Sequence, residues 1–272
     1  MRVRRVALLI ASLSIFPAYG GKWPKGKTST QAAVFVTPSK TMPNPFDLLK
    51  RIDLETRGKT LEARILVRIV DGTDVRSLEL KLWAVGVEKA MVKVLAPARE
   101  RGKANLRLLT ELWQYVPAVE HILKVAPSMG KLRLLGSNVT NGDLVRSTSL
   151  SRHYEHRLLG EEKIEGALAY KIESFPKSGA PVPPGRVVTW ILVSEPVQVR
   201  QEYYGPTGKR PDRVAVWKNI KREAGHTYPA TLVVSTPGTG MQTQVDYGVM
   251  KFDQPIPETV FTQEYLKKRV DD

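Results

Sequence analysis

The chain of 272 residues contains no cysteine. Disulfides, thiolate metal sites and cysteine nucleophiles all need that side chain, so each of them is excluded. A packed core must therefore stabilise the fold. The same absence removes the residue that carries the acyl anchor of a bacterial lipoprotein, and we do not expect this chain to be lipidated.

Long hydrophobic runs are scarce, and the one near the start is short. Three arginines within the first five residues precede an apolar run over residues 6–16, and Ala18 and Gly20 place small side chains before a cleavage point. This order is typical of a secretory signal. Because a membrane-spanning helix needs ~20 apolar residues, a cleaved signal peptide over residues 1–20 is favoured over an uncleaved anchor, which stays the alternative. We therefore predict a mature protein in the periplasm.

Acidic residues are few, with 27 Asp and Glu against 42 Lys and Arg, which gives a net charge of +15. Such a net positive charge is typical of proteins that bind nucleic acid. The export signal argues against it, and no pattern of a nucleic-acid-binding module is present, so we expect no nucleic acid. Anionic lipid head groups are the acidic surfaces of that compartment. A basic surface with no specific partner is an equal alternative.

Alternation of apolar and polar residues is the main pattern in the chain. A period of two over residues 61–69 continues after an Asp-Gly turn, and further strands at hairpin spacing extend to residue 251. This pattern predicts an antiparallel sheet with one apolar face. A helix is predicted over residues 45–56 and a closing helix over residues 262–269. We expect a flexible Pro, Lys and Thr-rich leader over residues 21–44 and a single domain over residues 45–272.

Short motifs follow one another in a fixed order between about residues 46 and 266. They are Ala96-Pro97, Arg101-Gly102, Leu112-Trp113-Gln114-Tyr115-Val116-Pro117, Ser128-Met129, Gly136-Ser137, Asp143-Leu144, Phe175-Pro176-Lys177, Gly185-Arg186-Val187-Val188-Thr189-Trp190 and Arg200-Gln201-Glu202-Tyr203-Tyr204. The ordered set resembles the bacterial outer-membrane lipoprotein-sorting proteins, which are LolA-like. The resemblance implies a mainly β (α+β) fold: an unclosed antiparallel β-barrel, or half-barrel, with short helices covering its concave face. It also implies a hydrophobic cavity for acyl chains, with no catalysis and no cofactor.

The alternating residues of the first two strands are the predicted ligand-binding wall of that cavity. They are Leu61, Ala63, Ile65, Val67, Ile69, Leu78, Leu80 and Leu82. In the family, the region over residues 127–145 contributes to a lid over the sheet. The predicted lid residues are Met129, Leu132 and Leu135. The same alternation also describes an ordinary packed core with no cavity.

Two departures from the family concern the lid. The best-known carriers of the family hold the lid through a strand arginine that bonds to the helix backbone. Arg64 and Arg68 lie on the polar side of their predicted strand, so neither is a safe counterpart of that arginine. The family's usual Gly-Ser-Asp is replaced here by Gly136-Ser137-Asn138. Both differences leave the lid contacts and the cargo open.

No set of residues predicts catalysis or a metal. His153 and His156 would share one face of a helix and bind a metal there. Residues 152–159 are better explained as a strand, in which positions three apart face opposite sides. Ser137 is not in a G-x-S-x-G motif, and residues 205–209 lack the spacing of a phosphate-binding loop.

The sequence thus predicts a monomeric, non-enzymatic periplasmic carrier or chaperone that shelters the acyl chains of a lipoprotein or lipid during transfer to the outer membrane. Its partners would be the acylated ligand and an inner-membrane transporter or outer-membrane acceptor. The alternative is an interaction or sensor module with a filled core, associated with an envelope export complex. An exported hydrolase would need a polar cluster that the sequence does not display.

Overall fold

The protein is described by a computed structural model that covers residues 42–126, 129, 133–140, 150–180, 182 and 185–269. These residues belong to one compact unit, Met42–Asp272. The predicted signal peptide, most of the predicted leader and the lid candidate Leu132 lie outside the described residues.

The first helix, α1 (Pro45–Arg57), begins at the predicted residue. The side-chain oxygen of Asn44 accepts a hydrogen bond from the backbone N–H of Phe46 at 2.9 Å. Proline at the first helical position leaves no further N–H unpaired there. Leu49 and Ile52, which are three residues apart on one face of the helix, are buried. This apolar stripe is what holds α1 against the sheet.

Thirteen strands are present among the described residues. They are β1 (Thr60–Asp71), β2 (Asp74–Val85), β3 (Lys89–Ala96), β4 (Ala104–Leu108), β5 (Glu111–Val116), β6 (His121–Lys124), β7 (Tyr154–Ile164), β8 (Ala167–Pro176), β9 (Val187–Leu192), β10 (Gln198–Tyr203), β11 (Arg213–Glu223), β12 (His226–Ser235) and β13 (Gln242–Phe252). They form a single antiparallel sheet that is not closed into a barrel. The predicted fold class is therefore confirmed.

The strand order consists of two meanders that meet in the middle of the sheet. It runs β6-β5-β4-β3-β2-β1 and continues β13-β12-β11-β10-β9-β8-β7. The two halves are joined by the pairing of β1 with β13, in which Val67 lies opposite Val245. β6 and β7 are the two edges.

The face of the sheet over which α1 lies, here called the inner face, carries the main core. In β1 every second side chain is buried, from Leu61 to Ile69. Because alternate residues of a strand share a face, the buried residues of β1 and their neighbours on β2 and β13 form one apolar cluster. The alternation in the sequence thus decides which side of the sheet is the core.

The opposite, outer face is covered in part by the C-terminal helix α3 (Gln263–Lys267). Leu266 is fully buried there against an apolar cluster that includes Trp83 and Leu106. Lys93 of β3 is 2% exposed on this face, and its ammonium donates hydrogen bonds to the carbonyls of Tyr265 and Lys268. Lys93 therefore caps the end of α3.

A second charged group on the outer face belongs to the other meander. Glu173 of β8 is 5% exposed. Its carboxylate accepts hydrogen bonds from Arg157 at 2.6 Å and from Arg186 at 2.7 Å. The two cations compensate the cost of burying this carboxylate among apolar side chains.

The strand predicted over residues 152–159 begins two residues later than expected. Residues 150–153 form a short helix, α2 (Leu150–His153), and the strand begins only at Tyr154. His153 and His156 therefore lie on different elements.

Candidate functional site

A cavity of about 370 Å³ lies between the inner face of the sheet, α1 and residues 135–139. Its volume is within the range of ~300–1,000 Å³ that small-molecule sites occupy. Most of the wall is made of aliphatic and aromatic side chains from β1, β2, β3, β11, β12 and β13. The sheet and its covering helix thus enclose apolar space that their own side chains do not fill.

All eight residues of the predicted ligand-binding wall lie on the inner face, but only half of them reach the cavity. Those that line it are Leu61, Ile65, Val67 and Leu82. The others pack in the core beside it: Ala63, Ile69, Leu78 and Leu80. Of the lid candidates, Leu135 lines the cavity, whereas Met129 is exposed and does not line it.

Sequence reasoning missed the wall that the second meander provides. It consists of Ala215, Trp217, Leu232, Val234 and Val245, which belong to β11, β12 and β13. The same period of two was available in those strands. The prediction stopped at the first hairpin because the sequence does not show that β13 pairs with β1 and brings these strands around the same space.

Asn138 attaches residues 133–140, which close one side of the cavity, to the sheet. It is 2% exposed. Its side-chain amide donates to the hydroxyl of Thr236 at 2.7 Å and to the carbonyl of Met241 at 3.1 Å. The hydroxyl of Thr243 donates to the Asn138 Oδ1 at 3.1 Å and accepts from the Asn138 backbone N–H at 2.9 Å. Asn138 is thus bonded to both β13 and the turn that precedes it.

A strand arginine also bonds to this segment, although it is not one that the sequence suggested. Arg213 of β11 donates from Nη1 to the carbonyl of Asn138 at 2.8 Å, and its guanidinium lies 4.5 Å from the ring centroid of Tyr203. Arg64 lies on the outer face, where it pairs with Glu79. Finding Arg213 required the register of β11, which places it at the edge of the cavity.

Four ionisable side chains line another part of the cavity: Asp53, Arg57, Arg107 and Tyr247. Asp53 and Arg57 are one turn apart on α1, with the Arg57 Nε 4.0 Å from the Asp53 Oδ1. Burial raises the pKa of Asp53, and the charge of Arg57 opposes this shift. Burial, with the nearby charge of Arg57 adding to it, lowers the pKa of Arg107 to about 9. Burial also raises the pKa of Tyr247, again opposed by Arg57.

Arg107 is the most deeply buried cation of this group. It is 3% exposed and comes from the inner face of β4. Its Nη1 donates to the carbonyls of Val87 and Glu88, both at 3.1 Å, and of Leu109 at 3.3 Å. These bonds fix the guanidinium against the turn between β2 and β3.

The histidine pair does not form a metal site. His156 Nδ1 lies 2.9 Å from the hydroxyl of Ser174, and burial lowers the pKa of His156. Within the described ranges, no group of His, Asp or Glu side chains is arranged to hold a metal ion. The helices of this part of the chain are all too short or too polar to cross a membrane.

The comparison by sequence with family models gave one match. A model for DUF1329-like proteins, described as "Uncharacterized protein", matches residues 86–268, which is more than half of the chain. No curated protein matches the chain.

Solved structures share the fold at low sequence identity. A DUF1329 family protein from Desulfovibrio piger ATCC 29098 has a TM-score of 0.75 at 21% identity, over 81% of this chain and 97% of that one. A LolA superfamily protein from Nitrosomonas europaea has a TM-score of 0.69 at 22% identity, over 80% and 97%. A protein from Vibrio parahaemolyticus, named as an outer membrane lipoprotein-sorting protein domain, has a TM-score of 0.72 at 17% identity, over 82% and 98%.

An open antiparallel sheet with a few short helices is the fold that this chain shares with a LolA superfamily protein. The chain belongs to the DUF1329-like family, and its fold is LolA-like.

Proposed function

We propose that this protein is a non-enzymatic carrier that shelters the acyl chains of a lipoprotein or lipid in its cavity during transfer to the outer membrane. The observation that supports the proposal is the cavity of about 370 Å³ between the inner face of the sheet and α1. In this proposal Leu61, Ile65, Val67 and Leu82 contact the acyl chain, together with the wall from β11, β12 and β13. Leu135 covers it as part of the lid.

The energetics of such a cavity suit a carrier. Each CH₂ group removed from water contributes ~0.8 kcal/mol, so hiding a chain of about 12 carbons gives on the order of 10 kcal/mol before the costs of binding are subtracted. This term has no directional requirement, because it depends on buried area rather than on oriented bonds. A carrier of this kind can bind firmly and still release its ligand once another apolar surface is offered.

The proposed place of action is the periplasm, reached through a signal peptide that is cleaved after residue 20. Similarity to structures named as LolA superfamily and lipoprotein-sorting proteins supports an envelope role at the level of the fold. The proposed partners are an acylated ligand and an inner-membrane transporter or outer-membrane acceptor, with the carrier itself monomeric and not lipidated.

The alternative of an interaction module with a filled core is less well supported. That role requires a solid interior, because a rigid scaffold gains stability from every void it fills. The unfilled apolar space next to Ala215 and Ala84 argues against it.

Filling the cavity tests the proposal. Ala215 is 2% exposed and lines the cavity, so Ala215→Leu and Ala215→Trp place progressively more side chain in the ligand's space. We expect delipidated Ala215→Trp to take up a fluorescent fatty-acid analogue at least about tenfold more weakly than the wild type, with Ala215→Leu between them. Leu66→Trp is the matched control, because Leu66 is exposed on the outer face.

Thermal denaturation of each variant shows whether the fold is retained. Weak uptake by the folded wild type, or equal uptake by Ala215→Trp and Leu66→Trp, would contradict the carrier proposal.

A further inference from the structure

Arg107 is a buried cation in an apolar wall, and the residues that the structure describes do not supply it with a counterion. Its neighbours on the adjacent strands are Ala90 and Leu112. In its bonds to the described residues, Arg107 donates only through Nη1, and all three of these hydrogen bonds go to backbone carbonyls. No described carboxylate lies within ion-pair distance of it. A buried charge without a counterion is costly even when it is hydrogen-bonded, so an arginine of this kind favours the binding of an anion beside it.

Arg57 adds a second positive charge at the same place. It is close enough for its charge to lower the pKa of Arg107. Asp53 is the one carboxylate among the described lining residues, and it lies 4.0 Å from Arg57. Even when Asp53 is ionised, Arg57 and Arg107 outnumber it. The charge of this part of the wall is therefore positive.

The remaining donors of the site suit oxygen acceptors. A guanidinium presents its N–H groups as a planar fork that matches a carboxylate or a phosphate. Nε and Nη2 of Arg107 are not used in bonds to the described residues, and Tyr247 lines the same cavity. Apolar wall extends from this site along β1 and β13.

We propose that Arg107 and Arg57 bind the anionic head of an amphiphilic ligand, a carboxylate or phosphate, while its acyl chain occupies the apolar part of the cavity. This inference rests on the proposed carrier function and deepens it. The cargo is then an acidic lipid rather than any acylated molecule, and the head group sits inside the protein with its chain.

Two ligands that differ only in head charge test the inference. Laurate and methyl laurate have the same acyl chain, and only laurate is an anion. We expect delipidated wild-type protein to bind laurate about 10- to 100-fold more tightly than methyl laurate, the factor that one or two charge-assisted hydrogen bonds provide. In Arg107→Met this ratio should fall to about threefold or less.

Control and auxiliary measurements separate the possible sources of the effect. Arg64→Met removes an arginine from the outer face and should keep the full ratio. Monododecyl phosphate, compared with laurate, distinguishes a phosphate head from a carboxylate head. Inorganic phosphate alone tests whether the head binds without its chain, and we expect binding at least about a hundredfold weaker than that of monododecyl phosphate.

Each result decides between the inference and the proposed function. Equal binding of laurate and methyl laurate to the wild type overturns the anionic head site and leaves the carrier function standing. Binding of neither ligand overturns both. An unchanged ratio in Arg107→Met and in Arg57→Met overturns the assignment to these arginines. If Arg107→Met fails to fold by circular dichroism, the wild-type ratio and Arg57→Met, whose side chain is 30% exposed, still give the answer.

Discussion

Replacing Asn138 by alanine is expected to loosen residues 133–140 while leaving the sheet intact. The change removes three side-chain hydrogen bonds, to Thr236, Met241 and Thr243. Each such bond contributes about 0.5–1.5 kcal/mol net, so the segment should lose about 2–4 kcal/mol of its attachment free energy. The bond from Arg213 to the Asn138 carbonyl uses backbone and is retained.

Hydrogen exchange measured by mass spectrometry resolves this local effect. Peptides from residues 133–140 should exchange faster in Asn138→Ala by the factor that corresponds to about 2–4 kcal/mol, whereas peptides from β1 should change no more than global stability does. Thr239→Ala is the control, because the Thr239 hydroxyl bonds only within its own turn among the described residues. Unchanged exchange in residues 133–140 would refute the role assigned to Asn138.

A double-mutant cycle with Thr243→Val isolates the contact with β13. The Thr243 hydroxyl both donates to and accepts from Asn138. The two changes should therefore be non-additive, with a coupling energy of about 0.5–3 kcal/mol in urea denaturation. Additive effects would show that Asn138 and Thr243 do not act together.

Two further predictions concern charges on the outer face. Glu173→Gln should lower the free energy of unfolding by about 3 kcal/mol, because it leaves the cations around a buried position without their anion. Burial opposes ionisation of Glu173, but hydrogen bonds from Arg186 and Arg157 outweigh it and hold its pKa below the usual value of 4.5. The wild type should therefore lose this stability as the pH falls below about 4.5, and urea titrations of Glu173→Gln should lack that loss. Burial, with the charge of Lys268 adding to it, lowers the pKa of Lys93 from 10.5 to about 8. Between these two pH values the unfolded state binds more protons than the folded state, so the stability of the wild type relative to Lys93→Met should rise with pH from 8 to 10.5. A stability difference that stays flat over this range would contradict the assignment.

Much of the fold was predictable because its determinants are local. The period of two in β1 and β2 fixes which side chains share a face, and the Asn44 cap with its following proline fixes the start of α1. These patterns depend on neighbours in the sequence. The alternation of buried and exposed side chains in β1 therefore follows from the local sequence.

The site was less predictable because it depends on contacts between distant residues. Arg107 and Arg57 are far apart in sequence, and only the pairing of the strands and the position of α1 bring them to one cavity. Arg213 and Asn138 meet across the sheet in the same way. A basic residue in a strand shows its burial only through its register, so no local signal distinguished these arginines from the many on the surface.

The meeting of β1 and β13 has a consequence for biosynthesis. β1 is the earliest of the described strands to leave the ribosome, and β13, which covers one of its two backbone edges, is the latest. Until β13 has been synthesised, β1 exposes an unpaired row of backbone N–H and C=O groups beside its apolar face. Such an incomplete sheet is prone to pair with the strands of other chains. A chain truncated ahead of β13 should therefore aggregate rather than fold.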